Sequence, residues 1–400
     1  MTVSDSRLMT LNIGPQHPST HGVLRLLVEL DAEKVVTCRP DIGFLHRGIG
    51  KIAEGLTYEQ FLPYTDRLDY LACFINNHGW AMAAEKLFGI VPPRRAEYLR
   101  VLLAELARIE SHLIWLGTHL LDLGAITPLF YCFREKEMIR DLFEEICGAR
   151  MTHAFCRIGG VRDDVTPTFL PKVREFAAIF PKALREYETL ITDNPIFRAR
   201  TRGVGVISAE RAVDYGLSGP SLRGSGVAWD LRKAEPYAAY ADLDFEIAVG
   251  QRGDVYDRYL VRMEEMRQSL RLILQVAENL PDGPVLADAP QFLRPSKAEF
   301  HRNMQAMIRY FHITIHGACP PAGEVYTAVE GTKGEVGFYV VSDGGPKPIR
   351  VQLRGPSFVN LAALEEMAKG QYLALYDMNR QSQAGRAMFL ARIGDIFRRL

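Results

Sequence analysis

The chain has 400 residues, 48% of them hydrophobic and 24% charged, a composition typical of a globular protein with a sizeable core and two or three domains, or one large one. Its 48 Lys and Arg residues balance 48 Asp and Glu residues, and this zero net charge disfavours nucleic-acid binding and is compatible with a subunit of a complex. The polar start and the absence of a run of about 20 apolar residues lead us to expect neither a signal peptide nor a transmembrane helix.

The first 56 residues predict a β-rich segment that ends in a loop. Alternation of apolar and polar residues predicts a small antiparallel sheet. Its expected strands are Leu8–Ile13, Val23–Leu30 and a short piece at Val35–Val36.

The segment Gly14–Gly22 carries two histidines, His17 and His21, in a turn rich in Pro and Gly. Histidine exchanges protons near neutral pH, so this turn is a place where a substrate could be protonated. The alternative is that both imidazoles only stabilise the turn through hydrogen bonds. The segment alone does not decide between the two interpretations.

Residues 57–322 predict a helical core, because apolar residues recur there at three- and four-residue steps. An irregular insertion rich in Gly and Arg, at about 201–254, interrupts it. The expected helices are Asp66–Phe88, Arg94–Leu123, Arg134–Cys147, Thr168–Thr192, Asp254–Glu278 and Lys297–His316. The second of these is long and apolar around much of its circumference, which indicates a central helix.

Residues 323–400 predict a second β-rich segment followed by an atypical tail, Tyr372–Leu400. The predicted fold class is therefore α+β, with a mainly helical core and small antiparallel sheets near both ends. The expected strands are Glu324–Val329, Gly334–Val341 and Ile349–Leu353.

None of the six cysteines belongs to a C-x-x-C pair. Free cysteines are commonly buried as small apolar residues, and an intracellular chain gives little reason to expect disulfides. We therefore expect buried thiols, and no iron–sulfur cluster or structural zinc site on this chain. The cysteines are Cys38, Cys73, Cys132, Cys147, Cys156 and Cys319.

Two further groups of residues could carry chemistry. At the expected helix start, Asp66 could cap the helix, and Arg67 and Tyr70 would share one helical face; Tyr70 could donate a proton or simply pack. At the end of the long helix, Thr118 and Asp122 would face the same way. A carboxylate in a last helical turn opposes the helix dipole, so Asp122 could serve to orient a protonated histidine.

Arginines beside glycines form the last group, for which ion pairing between segments or with partner subunits is the favoured interpretation. They are Arg157, Arg202, Arg223 and Arg232.

Taken together, these stretches resemble the D-subunit family of NADH:quinone oxidoreductase, respiratory complex I, with the chloroplast-type H subunit as its nearest relative. The resemblance runs in order from about Leu8 to about Gly370. The matching stretches are Gly14–Gly22, Gly43–Gly48, Tyr64–Tyr70, Glu105–Asp122 with Gly124–Pro128, Arg157–Gly160, Arg202–Val206, Gly334–Gly337 and Pro356–Leu361.

The resemblance implies the fold of the nickel–iron hydrogenase large subunit without its metal site, since the two C-x-x-C pairs are missing. It implies a quinone pocket in the emptied cavity, with His21, Tyr70 and Asp122 as catalytic residues. Thr118 is expected to line that pocket beside His21 and Tyr70. In this interpretation His17 only shapes the turn.

The resemblance also implies a role within a proton-pumping complex. The chain would bind no cofactor, would take quinone as substrate, and would receive electrons from the [4Fe–4S] cluster of the neighbouring B subunit. Its other expected partners are the C subunit and the membrane-embedded H subunit. The expected location is peripheral, on the cytoplasmic side of the inner membrane.

Three alternatives remain open at this point. One is a plastid-type complex fed by ferredoxin, and another is a structural subunit with a degenerate cavity, suggested by the tail Tyr372–Leu400, which departs from the usual carboxylate-and-arginine ending. An isolated metal-dependent hydrogenase is disfavoured by the missing thiolates.

Overall fold

A computed structural model of the chain describes residues 8–16 and 23–373. It confirms the predicted α+β class, since a helical core is flanked by small antiparallel sheets from both ends of the described chain. His17, His21 and nearly all of the tail after Tyr372 lie outside these residues.

The N-terminal sheet has three antiparallel strands in the order β1-β2-β3. Alternate residues of the middle strand, among them Leu26, Val28 and Leu30, are buried, and they pack against Leu361 and Leu364 from the other end of the chain. The strands are β1 (Met9–Ile13), β2 (Arg25–Asp31) and β3 (Lys34–Asp41).

The first three helices correct one prediction. They are α1 (Ile49–Gly55), α2 (Tyr58–Asp66) and α3 (Cys73–Phe88). Asp66 ends α2 instead of capping the next helix, and its Oδ2 accepts a hydrogen bond from the Ala154 backbone N–H at 2.9 Å. Arg67 and Tyr70 lie in the loop between α2 and α3, so they do not share a helical face.

The break has a local cause in Asp69. Its Oδ1 accepts the Leu71 backbone N–H at 3.2 Å, a side-chain turn that competes with helical hydrogen bonding. The apolar periodicity continues through the break because Leu68 and Leu71 are themselves buried.

The long central helix has nearly its predicted bounds, and Leu103, Leu106 and Leu113 on it are fully buried. The next helix begins seven residues earlier than expected, because Pro128 lies in its first turn, where a missing N–H costs nothing. The helices are α4 (Arg94–Asp122), α5 (Thr127–Cys147) and α6 (Phe169–Ile191).

Short elements surround this core. They are a two-stranded ribbon, β4 (Cys156–Arg157) and β5 (Gly160–Val161); the helices α7 (Pro195–Thr201), α8 (Ala209–Asp214), α9 (Pro220–Arg223) and α10 (Leu231–Ala234); and a 3₁₀ helix, Ala238–Asp242. The irregular insertion thus contains several one- and two-turn helices.

A second long helix, α11 (Val255–Asn279), packs on α4 and α6. The helix expected over Lys297–His316 is two helices, α12 (Lys297–Arg302) and α13 (Met304–His316). They are separated at Asn303, which has an extended backbone. Its side-chain Oδ1 caps α13 by accepting the Gln305 N–H at 2.9 Å.

The C-terminal sheet is antiparallel, in the order β6-β7-β8, and its first two strands pack on α3. Its inner residues Val329, Phe338 and Val340 join the cluster around Trp80. The strands are β6 (Gly323–Gly331), β7 (Gly334–Ser342) and β8 (Arg350–Arg354), and the helices α14 (Pro356–Ala362) and α15 (Leu364–Ala368) follow.

No helix within residues 8–16 and 23–373 is long and apolar enough to cross a membrane. All six cysteines are free thiols. Five are buried as expected, but Cys319 is exposed in the segment between α13 and β6, where the expectation of burial was wrong.

The turn between β6 and β7 lies directly against the start of α9. Gly219 has a left-handed φ of 64°, and a Cβ built on it would lie 2.4 Å from the Cα of Gly334. The atom that this Cβ would contact belongs to the backbone of Gly334, which cannot rotate away as a side chain can. The two glycines therefore set how closely the turn approaches α9.

Gly219→Ala is expected to lower the free energy of unfolding by about 1–3 kcal/mol more than Gly89→Ala, because it adds overpacking to an unfavourable φ. Gly89 is a matched control with a φ of 69° and no atom within 4 Å of a built Cβ. Chemical denaturation of the full chain measures both. Equal losses would contradict the close contact.

Asp66 is a fully buried carboxyl group whose Oδ1 has no hydrogen-bond partner within the described structure. Burial raises the pKa of Asp66 from 3.8 to about 7, against the opposing effect of the Ala154 N–H. Because the folded-state pKa lies above the unfolded one, the associated stability is complete below about pH 4 and is lost as pH rises through 7.

Asp66→Asn should therefore gain stability relative to the parent as pH rises, on the order of 2 kcal/mol between pH 5 and pH 8. Denaturation of both chains at several pH values measures this difference. Asp282→Asn, which removes an exposed carboxyl group, is measured alongside as the control. A pH-independent difference for Asp66→Asn would show that the carboxyl is ionised throughout.

Candidate functional site

Tyr70 is half-buried in the loop between α2 and α3. The loop is fixed mainly through its neighbour, Asp69, whose Oδ2 lies 2.5 Å from the Nζ of Lys333. Both members of this ion pair are less than 10% exposed. The Sγ of Cys73 also donates to the Tyr70 carbonyl at 3.2 Å. The backbone that carries Tyr70 is therefore held by the Asp69–Lys333 ion pair and by the Cys73 hydrogen bond.

Lys333 connects this loop to the central helix. Its Nζ donates to the Ser111 Oγ on α4 at 3.1 Å, and Ser111 in turn donates to the Thr332 Oγ1 at 3.0 Å. One buried ammonium group thus joins the Tyr70 loop, α4 and the β6–β7 turn. Ammonium groups are rarely this buried unless they are paired, and here the carboxylate of Asp69 supplies the opposite charge.

The β6–β7 turn is itself fixed from two sides. Arg108 of α4 donates from Nη1 to the Gly331 carbonyl at 3.1 Å and from Nη2 to the Glu330 carbonyl at 2.7 Å. On the other side, Asn360 of α14 donates to the Lys333 carbonyl at 3.0 Å. The contacts with α4 on one side and α14 on the other therefore determine the position of the Lys333 ammonium group.

Behind the turn lies a buried network of charges, defined here as the α4 network. Four carboxylates and three guanidinium groups in it are at most 3% exposed, and they belong to α4, α9, α10, α11, β6 and the residue before α10. Its members are Glu105, Arg108, Arg223, Asp230, Arg232, Glu265 and Glu330.

Glu105 is the most heavily bonded member. Its oxygens accept from Arg108 and Arg232, from the Tyr240 hydroxyl at 2.6 Å and from the Ser269 hydroxyl at 2.6 Å. Burial opposes ionisation, but the two guanidinium groups outweigh it, so the pKa of Glu105 is lowered. The residue is therefore an anion in the core at neutral pH.

His112 borders the same network. Its Nε2 lies 2.8 Å from Glu265 Oε2, and Arg223 donates to the other oxygen of Glu265 at 2.7 Å. Burial lowers the pKa of His112 to about 4, despite the nearby carboxylate. The imidazole is therefore neutral at pH 7, and since a carboxylate only accepts, His112 donates from Nε2.

The end of α4 carries the predicted pair Thr118 and Asp122, both half-buried. The Thr118 hydroxyl donates to the Ile114 carbonyl at 2.9 Å, which leaves its lone pairs for another donor. Asp122 lies in the last turn of α4, as predicted, and the helix ends there, one residue before the predicted Leu123. Next to them, His119 is buried against Trp115, and burial together with Arg262 lowers the pKa of His119 to about 3, so it is not a proton donor at pH 7.

The structure thus connects two predicted site elements through α4. Tyr70 is tied to the helix near Ser111, and Asp122 lies eleven residues further along it, about 16 Å at the rise of an α-helix. His21 lies outside the described residues, but Gln16 and Val23 pair with each other, so the two ends of its segment lie side by side.

The four arginines differ in their surroundings. Arg223 and Arg232 form buried ion pairs between segments, as the favoured interpretation held. Arg202 lies over the ring of Tyr256, at 4.6 Å from its centroid. Burial lowers the pKa of the half-buried Arg157.

Sequence reasoning missed Lys333 and the α4 network. A signal for the network existed, because Glu105, Arg108 and His112 recur at three- and four-residue steps within an otherwise apolar helix. Lys333 offered none, since its partner Asp69 is 264 residues away. Within residues 8–16 and 23–373 there is no cluster of three or more His, Cys, Asp or Glu side chains that could hold a metal ion.

Comparison with known proteins places this architecture in one family. A family profile described as respiratory-chain NADH dehydrogenase, 49 Kd subunit, matches residues 122–379. The chain is 54% identical over 371 residues to the second D subunit of the NADH-quinone oxidoreductase of Rhizobium meliloti (strain 1021), covering 92% of each chain. It is 52% identical over 372 residues to the D subunit of the same enzyme in Geobacter metallireducens, covering 93% of this chain and 95% of the relative.

Matches of this extent leave no large part of the chain unaccounted for. The chain belongs to the family of the 49 kDa subunit of respiratory-chain NADH dehydrogenase, and the enzyme of which it is a subunit is the whole NADH-quinone oxidoreductase, complex I.

Proposed function

We propose that this chain binds the quinone head group of the complex and helps to protonate it, with Tyr70, His21 and Asp122 as the reacting side chains and Thr118 lining the pocket. The observation that carries the proposal is the Asp69–Lys333–Ser111 connection. It fastens the loop of Tyr70 to the same helix that ends at Asp122. Because both Tyr70 and Asp122 are then held by α4, they can keep a fixed separation while a head group lies between them.

The chemistry requires two electrons and two protons for each quinone. As the electrons arrive, negative charge develops on the two carbonyl oxygens, and a hydrogen-bond donor at each oxygen stabilises it. Tyr70 would donate to one oxygen and His21 to the other, each transferring its proton to give the quinol. Asp122 would hold His21 protonated and oriented before the transfer.

The electrons would come from the [4Fe–4S] cluster of the neighbouring B subunit, so this chain needs no cofactor of its own. The C subunit and the membrane-embedded H subunit are the other proposed neighbours, and the proposed location is peripheral, on the cytoplasmic side of the membrane. We further infer that the helical core is the scaffold of the nickel–iron hydrogenase large subunit with its metal site lost. The relatives are named NADH-quinone oxidoreductases, which favours NADH over ferredoxin as the donor.

Tyr70→Phe should lower the NADH:quinone reductase rate of the assembled complex by at least about tenfold, because it removes a proton donor and leaves the ring in place. Membranes that carry the variant complex are assayed with quinone and with a hydrophilic acceptor that takes electrons upstream. The second rate should be unchanged.

Tyr64→Phe provides the matched control, since Tyr64 is 37% exposed on α2 and stacks on Phe61. Its quinone rate should equal that of the parent. A parental rate in Tyr70→Phe would remove Tyr70 from the mechanism. If a quinone-site inhibitor also failed to bind the parent complex, the pocket itself would be degenerate.

Lys333→Met should raise the KM for quinone more than it lowers kcat, because it frees the Tyr70 loop without removing a reacting group. The variant leaves Asp69 as a buried unpaired carboxylate, so a double variant, Asp69→Asn with Lys333→Met, separates loop position from this electrostatic cost. The double variant should assemble better than Lys333→Met and still show the raised KM.

Lys86→Met is the control, because Lys86 contacts the same hairpin from the surface through the Tyr326 carbonyl, at 3.4 Å. Its quinone kinetics should match the parent. If Lys333→Met assembled normally with a parental KM, the ion pair would not position the loop.

A further inference from the structure

Asp66 directly precedes the loop of Tyr70, residues 67–72. Cys73, the first residue of α3, contacts the backbone of both residues. Its Sγ lies 3.5 Å from the Asp66 carbonyl oxygen and 3.2 Å from the Tyr70 carbonyl oxygen. A movement of Asp66 would therefore also displace the backbone that carries Tyr70.

The carboxyl group of Asp66 lacks a full set of hydrogen-bond partners. Its Oδ2 accepts the Ala154 N–H at 2.9 Å, but its buried Oδ1 has no partner within the described structure. The side chain of Asn77 on α3 lies beside this carboxyl group, close enough to influence the pKa of Asp66. The Oδ1 of Asn77 is also buried and also lacks a donor among the described residues. Two neighbouring buried side chains thus each carry an oxygen without a donor.

The orientation of the Asn77 amide is fixed by its other contacts. The Thr65 hydroxyl donates its only hydrogen to the Leu62 carbonyl at 2.7 Å, so its oxygen can only accept. The Nδ2 of Asn77 supplies that hydrogen bond at 2.7 Å. Turning the amide over would place Oδ1 against an oxygen that has no hydrogen to give. The Oδ1 of Asn77 therefore remains available as an acceptor.

A proton on Asp66 removes this deficit. An ionised Asp66 leaves its own Oδ1 and that of Asn77 unsatisfied, which is costly for buried polar atoms. A neutral Asp66 carries an O–H on Oδ1 and can donate it to Asn77. Burial raises the pKa of Asp66 to about 7, so both forms are populated near neutral pH.

Two cations lie near the carboxyl group. The Nη1 of Arg67, whose side chain is 45% exposed, is 3.8 Å from Asp66 Oδ2, and the half-buried Arg157 of β4 also lowers the pKa of Asp66. Three thiols from α3, α5 and β4 interact with the same carboxylate, and burial raises their pKa values well above 7, so they are uncharged at neutral pH: Cys73, Cys147 and Cys156. An ionised Asp66 is therefore attracted toward the arginines.

We propose that Asp66 is a pH-sensitive positioning residue for Tyr70. In its neutral form it donates from Oδ1 to Asn77 and holds the start of the loop against α3. Loss of the proton to solvent leaves a carboxylate, which has no donor at Asn77 and moves toward Arg67, so that the loop is held less firmly. The inference rests on the role proposed for Tyr70 in binding the quinone head group.

The pH dependence of quinone binding tests the switch. Between pH 6 and pH 8 the KM for quinone of the parent complex should rise at least about threefold relative to that of Asp66→Asn, because most of a carboxyl group with a pKa near 7 becomes ionised over this range. Asp66→Asn remains neutral and can still accept from Ala154 and donate to Asn77. Asp282→Asn is measured alongside as a surface control. An identical pH profile in the parent and in Asp66→Asn would overturn the proposal.

Removal of the neighbouring cation gives a second test. Arg67→Gln should move the midpoint of the KM change to higher pH, because the ionised form of Asp66 loses the guanidinium group toward which it moves. A purely structural role for Asp66 predicts no such displacement. A midpoint that stayed in place or moved to lower pH would contradict the change of partner.

The protonation state is measured separately from quinone chemistry. The infrared difference spectrum of the parent complex minus Asp66→Asn should contain the carbonyl band of a protonated carboxylic acid, and the band should disappear as pH rises through about 7. Absence of the band at acidic pH would overturn the inference and leave the proposed function intact. A band that titrates as expected, together with a parental quinone rate in Tyr70→Phe, would instead overturn the role of Tyr70 and with it the positioning role of Asp66.

Discussion

The interior of this protein depends on charges carried by its central helix. Glu105 and Arg108 are fully buried on α4, and buried charges are costly unless they are paired and hydrogen-bonded. The two pair with each other at 3.2 Å, and each also takes further hydrogen bonds from other segments. The partners come from α10 for Glu105 and from the carbonyls of the β6–β7 turn for Arg108. The packing of distant segments is specified by these pairings more than by apolar contact alone.

The same constraint reaches the site. Because Arg108 fixes the β6–β7 turn, Lys333 at its tip is placed within reach of Asp69. The position of the Tyr70 loop therefore depends on α4 through two buried contacts, Arg108 with the turn and Lys333 with Asp69. A replacement of these pairs by apolar residues could preserve stability, since buried ion pairs often add little net stability. It would lose the loop position that the pairs impose, and the role proposed for Tyr70 depends on that position.

Much of the fold was accessible from the sequence because it follows local rules. Apolar periodicity predicted α4 nearly to the residue, and alternation predicted the two outer sheets, since both patterns report burial directly. The failures arose where a side chain or a local turn overrode the periodicity. Periodicity could not distinguish a buried loop from a helix at Tyr70, where the side chain of Asp69 replaces helical hydrogen bonds.

The candidate site also combines residues that the sequence identifies with residues that only the folded chain brings together. Asp122 and Tyr70 were predicted as site residues from motif resemblance, but what holds Tyr70 in place depends on Lys333, which is distant in sequence. No local pattern marks such a residue before the chain folds. The roles of His21, Tyr70 and Asp122 at the head group all remain predictions, as does the pairing of Asp122 with His21.

The surface helix α13 differs from the interior in leaving side chains without partners in the described structure. Around α4 every charge in the described network has its partner within the chain, whereas α13 leaves apolar side chains and the Nε of Arg309 without one in the described structure. An isolated globular protein would gain stability by burying or replacing such residues. Their presence is consistent with a chain that belongs to a multi-subunit complex.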